Sequence, residues 1–281
     1  MDQQDEKIKF LNLLKDFALS LNDFVSVDHQ WTIRGFIDID KNIYHISSDT
    51  KIISKLLELH IFPNFFKFAE KNGFKAEPAK FQNWYPDITL TSKSDENVKF
   101  AVDLKTTYRN DRNSEFCNGF TLGSHSTYFT DRNSTKNIQY PYHSYLGHFC
   151  LGIIYTRRKI KKEEETKIYS INEIEKIKPV ISDFIFFAEE KWKIASDKSG
   201  SGNTANIGSI QKIDDILKGN GMFAKAGERI FDDYWANYGN LQILDENGDF
   251  KVLTSLREYL TYRGLSMDIY NPKASKKKGT K

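Results

Sequence analysis

Pro86-Asp87-Ile88-Thr89-Leu90-Thr91 and, past the polar turn Ser92–Asn97, Val98-Lys99-Phe100-Ala101-Val102-Asp103-Leu104-Lys105-Thr106-Thr107-Tyr108 decide how this chain is read. Two runs rich in Val, Ile, Thr and Phe around a polar turn predict a β-hairpin. Side chains at i and i+2 of a strand share a face, so Asp103 and Lys105 point one way while Val102, Leu104 and Thr106 point the other. A turn centred near Asp95 sets Asp87 directly across from Asp103, with Cβ atoms roughly 4.5–5.5 Å apart. Two carboxylates that close repel, and a divalent cation between them removes the penalty. Oxygen-only ligands suit Mg²⁺, with Mn²⁺ as a substitute. Lys105 beside them can stabilise developing negative charge or orient an attacking water, the arrangement phosphodiester hydrolysis needs. Asp and Lys on a strand are commonly a solvated face. Here Asp103 interrupts a run, Phe100–Leu104, whose other members are all apolar, and a charge set there is costly without a task.

Outward from the hairpin, Ile8, Leu11, Leu14, Phe17, Ala18 and Leu21 recur at helical spacing and predict a helix over residues 6–24. Trp31–Ile33 and Ile43–Ile46 read as short strands around a turn at Asp38–Asn42. Asp49 is placed to cap a helix running from Thr50 to about Ile61, where Pro63 is expected to interrupt it. Asn72-Gly73 closes the helical stretch that follows. Phe149–Tyr155 and Phe184–Phe187 read as buried strands, and Arg157–Lys167 as a solvated charge run. Residues 196–209, rich in Gly, Ser and Asn, read as a loop, and residues 210–264 mostly as helices. The expected architecture is α/β (α+β), with a central mixed sheet of five to six strands flanked by helices. Residues 1–264 are expected to form one domain, followed by a Lys-rich, disordered tail over 265–281.

Composition narrows the function. The 281 residues are 39% hydrophobic and 28% charged, with 41 Lys+Arg against 38 Asp+Glu, so disorder and histone-like, charge-driven DNA binding are disfavoured. No run of about 18 apolar residues is present, and no membrane partner is expected. The acidic start Met1–Glu6 is unlike a secretion signal, and the two cysteines, Cys117 and Cys150, form no Cys-x-x-Cys pair. A reducing, cytoplasmic setting is expected. The six histidines show no ligand spacing, and no Gly-x-Ser-x-Gly elbow or dinucleotide Gly motif occurs.

Pro86-Asp87 followed sixteen positions on by Asp103-x-Lys105 resembles the PD-(D/E)XK nucleases. Further stretches bring the resemblance to the EcoRV-type type II restriction endonucleases. They are Ser48–Lys51, Asn83-Trp84-Tyr85-Pro86-Asp87, Asp103–Tyr108, Thr135-Lys136-Asn137 and Gly200–Ile210, in the family's order over residues 31–264 or so. The resemblance implies a restriction-endonuclease-like fold and a homodimer that cuts palindromic duplex DNA with Mg²⁺. It makes Asp87 and Asp103 the metal-binding carboxylates, Lys105 the catalytic lysine and Glu58 an accessory acidic residue. It also makes Gly200, Ser201, Gly202, Asn203, Thr204 and Asn206 the base-reading loop, where glycines let the backbone approach base edges and Asn can pair with adenine. Gln82 and Asn83 are implied to touch the minor groove, and Thr50, Lys51, Ser54, Thr106, Thr107 and Lys136 to lie at or near the DNA.

The chain departs from the family at Phe81, where the family has a glutamine, at Ala205, where it has a threonine, and over 239–245, where it has basic residues. The nearly intact loop implies the target GATATC, cut blunt at a central step read mostly by DNA bending, and a methyltransferase in the host that makes no direct contact. The alternatives are a structure-selective repair nuclease with the same core and a sequence-specific DNA-binding protein that does not cleave. An intact reading loop weighs against the first, and the presence of Asp87, Asp103 and Lys105 against the second.

Overall fold

The computed structural model describes residues 2–200, 205–244 and 248–271. Helix α1 (Gln3–Val25) starts at Asp2, whose carboxylate accepts from the Gln4 N–H, and buries Phe10, Leu14, Phe17 and Leu21. Two short strands follow, β1 (Ser26–Val27) and β2 (Gln30–Trp31), then a hairpin of β3 (Gly35–Ile37) and β4 (Asn42–His45). Asp38 closes this hairpin by accepting from the N–H groups of Asp40 and Asn42. The tight turn sets β3, rather than the expected Trp31–Ile33, across from β4. Trp31 pairs with β1 instead.

Helix α2 (Thr50–Lys71) begins at Asp49, whose carboxylate accepts from Lys51 and Ile52. It runs unbroken through Pro63, correcting the expected interruption. Proline removes one N–H donor and crowds the carbonyl four residues back. That carbonyl belongs to Leu59, whose side chain is 54% exposed, on the solvent side where water can satisfy it. Ile53, Leu57, Ile61, Phe65 and Phe68 stay buried on the other side and outweigh the local cost.

Strands β5 (Phe74–Pro78), β6 (Ile88–Ser92) and β7 (Lys99–Tyr108) form an antiparallel meander. After β8 (Thr121–Ser124) and α3 (Thr127–Thr130), β9 (Gly147–Arg157) pairs in parallel with β7. A short excursion through α4 (Lys162–Glu165) and β10 (Ile168–Ser170) leads to β11 (Ile181–Glu190), antiparallel to β9. The resulting mixed sheet has seven strands in the order β1-β2-β11-β9-β7-β6-β5. Its five long members meet the expected count, and β1 and β2 add two residues each.

Short α5 (Lys191–Ile194) turns the chain into β12 (Ala195–Ser199), which pairs with β13 (Asn206–Ser209), itself paired with β8. The described residues of 196–209 are therefore mostly strand and not the expected loop. Polar residues and glycine predict a loop from composition, but here the ladder is completed by distant β8. The remainder holds α6 (Ile213–Leu217), α7 (Glu228–Asn237), the hairpin β14 (Gln242–Leu244) and β15 (Phe250–Val252), and α8 (Leu256–Tyr262). Beyond Gly264, the Asn271 amide donates to the carbonyls of Asn220 and Gly221. The lysine-rich stretch beyond 271 lies outside the described residues.

The sheet separates two cores. Phe100, Val102 and Leu104 of β7 join Phe149, Leu151 and Ile153 of β9 beneath α1 and α2. On the other face Ala101, Cys150, Ile154 and Phe187 meet Tyr85, Tyr128, Phe129, Tyr142 and the aromatic residues of α7. On that second face Phe187 lies across Gly152, where a Cβ would sit 2.1 Å from the ring. Gly152 is in turn the β9 residue in register with Lys105. No helix among the described residues is long and apolar enough to cross a membrane.

Candidate active site

The β6–β7 register pairs Ile88 with Val102 and Thr89 with Ala101, which continues to Asp87 opposite Asp103. The two are tied directly. The Asp87 N–H donates to Asp103 Oδ1 at 3.3 Å, and the Leu104 N–H donates to Asp87 Oδ2 at 2.8 Å. Lys105 Nζ reaches both carboxylates, at 3.1 Å from Asp103 Oδ2 and 3.5 Å from Asp87 Oδ2. Strand alternation carries Asp103 and Lys105 onto one face, as the sequence predicts, with Val102 and Leu104 in the opposite core. Asp103 is buried, while the side chains of Asp87 and Lys105 are about a quarter exposed (28% and 24%), so the cluster opens outward through them.

Electrostatics follow from crowding. Burial pushes the Asp87 carboxyl up to about 6; Lys105 opposes the rise, while Asp103 and Glu58 add to it. Burial alone would lower the Lys105 ammonium. The Asp103 and Asp87 carboxylates outweigh that and hold it above the ordinary lysine range. Lys105 is thus a fixed positive charge at neutral pH. The donor set is carboxylate oxygen, and among the described residues no three His, Cys, Asp or Glu side chains converge as a complete metal centre. Paired carboxylate oxygens suit a hard divalent cation that keeps several of its waters. A cation between the two carboxylates would draw the Asp87 carboxyl back down.

Two adjoining clefts border the cluster. One, of about 680 Å³, is lined by Thr50, Lys51, Ser54, Glu58, Phe81, Gln82, Asp87 and Thr106, among others. The second, of about 410 Å³, shares Thr50, Ser54, Glu58, Asp87 and Thr106 and adds Lys105 and Thr107. Helix α2 presents Thr50, Ser54 and Glu58 from successive turns, and Glu58 pairs with Lys55 at 2.6 Å. Of the expected DNA-proximal residues, Thr50, Lys51, Ser54, Gln82, Thr106 and Thr107 therefore gather at the carboxylates. Asn83 and Lys136 are exposed and outside the cleft linings. The segment after Lys136 runs beside the site, with the Tyr85 N–H donating to the Asn137 carbonyl at 3.0 Å. Asn206 opens β13, and its carbonyl accepts from the Gly200 N–H at 2.8 Å. Ser201, Gly202, Asn203 and Thr204 lie outside the described residues.

Phe81 is half exposed and packs edge-on against Trp84, with ring centroids 4.8 Å apart. Three residues near the site escape a reading from spacing. Lys55 also lines the first cleft. Tyr85 is buried and shares a 2.9 Å hydrogen bond with His148 Nδ1. Lys191 is buried beside the Tyr85 ring. Lys55, one turn on from Lys51 in a helix that faces the carboxylates, carries a weak sequence signal at most. Tyr85 and Lys191 carry none, because their burial depends on distant strands.

A family model described as restriction endonuclease EcoRV matches residues 27–264. The Type II restriction enzyme EcoRV of Escherichia coli is 39% identical over 245 residues, covering 87% of this chain and 96% of that protein.

Proposed function

The chain belongs to the restriction endonuclease EcoRV family and is a type II restriction endonuclease; from that premise we propose that it cuts duplex DNA at the palindrome GATATC, blunt at the centre, with Mg²⁺. The observation that carries the catalytic part is the convergence of Asp87, Asp103 and Lys105 at the floor of the clefts. Asp87 and Asp103 would hold the divalent cation, with Glu58 as an accessory ligand, and Mn²⁺ would substitute for Mg²⁺. When bound, the cation supplies charge neutralisation at the scissile phosphate and favours ionisation of an attacking water. Lys105 keeps its proton, so it acts as an electrostatic group on the developing negative charge and not as the general base.

Thr50, Lys51, Ser54, Thr106, Thr107 and Lys136 would position the DNA backbone, which fixes register without reading sequence. Base reading falls to Gly200, Ser201, Gly202, Asn203, Thr204 and Asn206, in the stretch of sequence between β12 and β13, with Gln82 and Asn83 at the minor groove. A palindrome calls for two copies related by a two-fold axis. The small sheet β10-β4-β3 offers a face for that contact, since Phe36 and Ile168, both in register with Tyr44, are more than half exposed. Both cysteines are free and buried, in keeping with a cytoplasmic enzyme whose host carries the matching methyltransferase.

The test is a digest of a long, fully sequenced DNA with Mg²⁺, followed by sequencing of the fragment ends. Discrete blunt ends at GATATC are expected. Ends at another palindrome would overturn the proposed target and move attention to Phe81 and Ala205. No cleavage with either Mg²⁺ or Mn²⁺ would overturn the catalytic assignment of Asp87, Asp103 and Lys105.

A further inference from the structure

Tyr85 is where the exposed rim of the cleft enters the core. Gln82 and Asn83 before it are exposed, Tyr85 itself is 5% exposed, and Asp87 lies two residues on. One segment holds its main chain from both sides. The Tyr85 N–H donates to the Asn137 carbonyl at 3.0 Å, and the Gln139 N–H donates to the Tyr85 carbonyl at 2.9 Å. Its side chain is held elsewhere. The Tyr85 hydroxyl shares a buried 2.9 Å hydrogen bond with His148 Nδ1, and the ring stacks on Tyr128 with centroids 5.4 Å apart.

His148 is itself fixed. It is buried on β9, in register with Ala101 of β7. Its ring stacks on Tyr142 at 3.7 Å and lies 5.5 Å from that of Tyr145. The Tyr145 hydroxyl in turn shares a 2.9 Å hydrogen bond with Thr89 Oγ1 of β6. Burial holds the His148 imidazole well below its ordinary pKa, so its bond to Tyr85 joins two uncharged groups. A buried polar pair satisfied in this way adds little over apolar packing of the same shape, but it fixes one orientation.

Asp87 depends on where this chain is held. On the β5 side the Ala79 N–H donates to its carbonyl at 2.9 Å. On the β7 side the Asp87 N–H reaches Asp103 Oδ1 at 3.3 Å and the Leu104 N–H reaches Asp87 Oδ2 at 2.8 Å. The first of these two is already long, so a small displacement breaks it. The remaining anchor is upstream, at Tyr85. We propose that the Tyr85–His148 hydrogen bond makes both side chains positioning residues: it pins the chain entering β6, so that the Asp87 carboxylate stays facing Asp103 and Lys105. Among the described residues neither side chain hydrogen-bonds to Asp87, Asp103 or Lys105, so the effect passes through the backbone of residues 85–87. Its kinetic consequence rests on the reading of Asp87 as a metal ligand.

The experiment reads amide hydrogen exchange in the full-length protein without metal or DNA, and kcat and KM with Mg²⁺ on a duplex carrying the site mapped by the digest. Tyr85→Phe and His148→Leu remove the bond, while His148→Asn keeps a polar group near the place of Nδ1. In Tyr85→Phe the Asp87 and Leu104 amides are expected to exchange about three- to tenfold faster, the scale of one lost hydrogen bond, with the amides of α1 within about twofold of wild type. The value of kcat is expected to fall about ten- to a hundredfold with KM within about twofold, because a small misplacement of a metal-holding group is costly to the reaction and not to DNA binding. His148→Leu is expected to behave alike, and His148→Asn to recover most of both losses. Wild-type exchange at Asp87 and Leu104 in Tyr85→Phe overturns the proposal, whatever kcat does. Faster exchange spread evenly over α1 and the sheet also overturns it, since a purely structural bond would act in that way. Should His148→Leu fail to fold, Tyr85→Phe and His148→Asn decide. Faster exchange confined to the two amides with an unchanged kcat would support the anchor and overturn the reading of Asp87 as a metal ligand, which separates the two failures.

Discussion

Strand β7 sends Phe100, Val102 and Leu104 to one side of the sheet and Ala101, Asp103 and Lys105 to the other, and the two sides are held by different forces. Toward α1 and α2 the packing is hydrocarbon on hydrocarbon. Phe10 stacks on Phe100 at 4.0 Å and Phe17 on Phe68 at 4.7 Å. Toward α7 the core is interleaved with polar groups. Tyr85, His148 and Tyr142 pack together, with the His148 and Tyr142 rings 3.7 Å apart, and Lys191 lies among them. Even the tie between the two sides is ionic, since Lys7 of α1 reaches Glu190 and Glu228, each at 2.6 Å. The first side is a foundation whose loss costs stability. The second accepts buried charge that stability alone would not select, and that is where Asp87, Asp103 and Lys105 cluster.

The contrast can be broken most sharply at Asp103. Asp103→Ala is expected to lower the cleavage rate by on the order of a thousandfold or more while the fold is retained at some cost in stability, because Lys105 keeps Asp87 as a partner but the Asp87 N–H loses its acceptor. Cleavage above a tenth of the wild-type rate would remove the charged face from the mechanism. The opposite experiment is Leu57→Ala, fully buried on α2. It is expected to cost about 2–5 kcal/mol in chemical denaturation, with the rate per folded molecule unchanged.

A third test uses pH. Asp87 is held at about 6 by burial in the metal-free protein, so at subsaturating Mg²⁺ cleavage is expected to fall below that value as the proton competes with the cation for the carboxylate, and excess Mg²⁺ is expected to move the fall to lower pH. The stability effect has the opposite sign. A carboxyl whose pKa is raised on folding favours the fold while protonated, and that contribution disappears as pH rises from about 4 through 6. Metal-free protein should therefore lose stability across the window in which cleavage grows, and a melting temperature that rose there would contradict the Asp87 assignment. The smallest effect is expected at the rim. Phe81→Gln is predicted to alter stability by less than about 0.5 kcal/mol and to change cleavage at the target by less than about tenfold, read as relative rates on matched duplexes. A complete loss of cleavage would place Phe81 in the DNA contact as a required group.

The same contrast marks what the sequence discloses. The β6–β7 hairpin is legible to its register, because strong alternation and a short polar turn leave one way to pair it. With it come Asp87, Asp103 and Lys105, three residues whose proximity is set by local geometry. Helix α2 is legible at its start, where Asp49 caps it, but not in its middle. Pro63 is a local cost, and the burial of Ile61 and Phe65 that overrides it depends on α1 and the sheet. Residues 196–209 mislead for a related reason, since β13 gains its order from β8, some eighty residues earlier in the chain. Lys191 is the least legible of all. It follows Glu189-Glu190 and precedes Trp192-Lys193, a context that looks like surface, and only the tertiary fold turns it inward.

Gly152 carries the consequence of the close approach by Phe187. Every single-base change to a glycine codon that alters the amino acid adds at least a Cβ, and here that atom has nowhere to go. Phe187 would be driven aside, toward Phe120, against which it already packs at 5.6 Å. The displacement would begin on the β9 residue in register with Lys105. Any residue but glycine at position 152 therefore requires Phe187 to shift, although the position offers no polar side chain of its own. In a gene under drift, Lys105 is guarded as much by the absence of a neighbouring side chain as by the carboxylates around it.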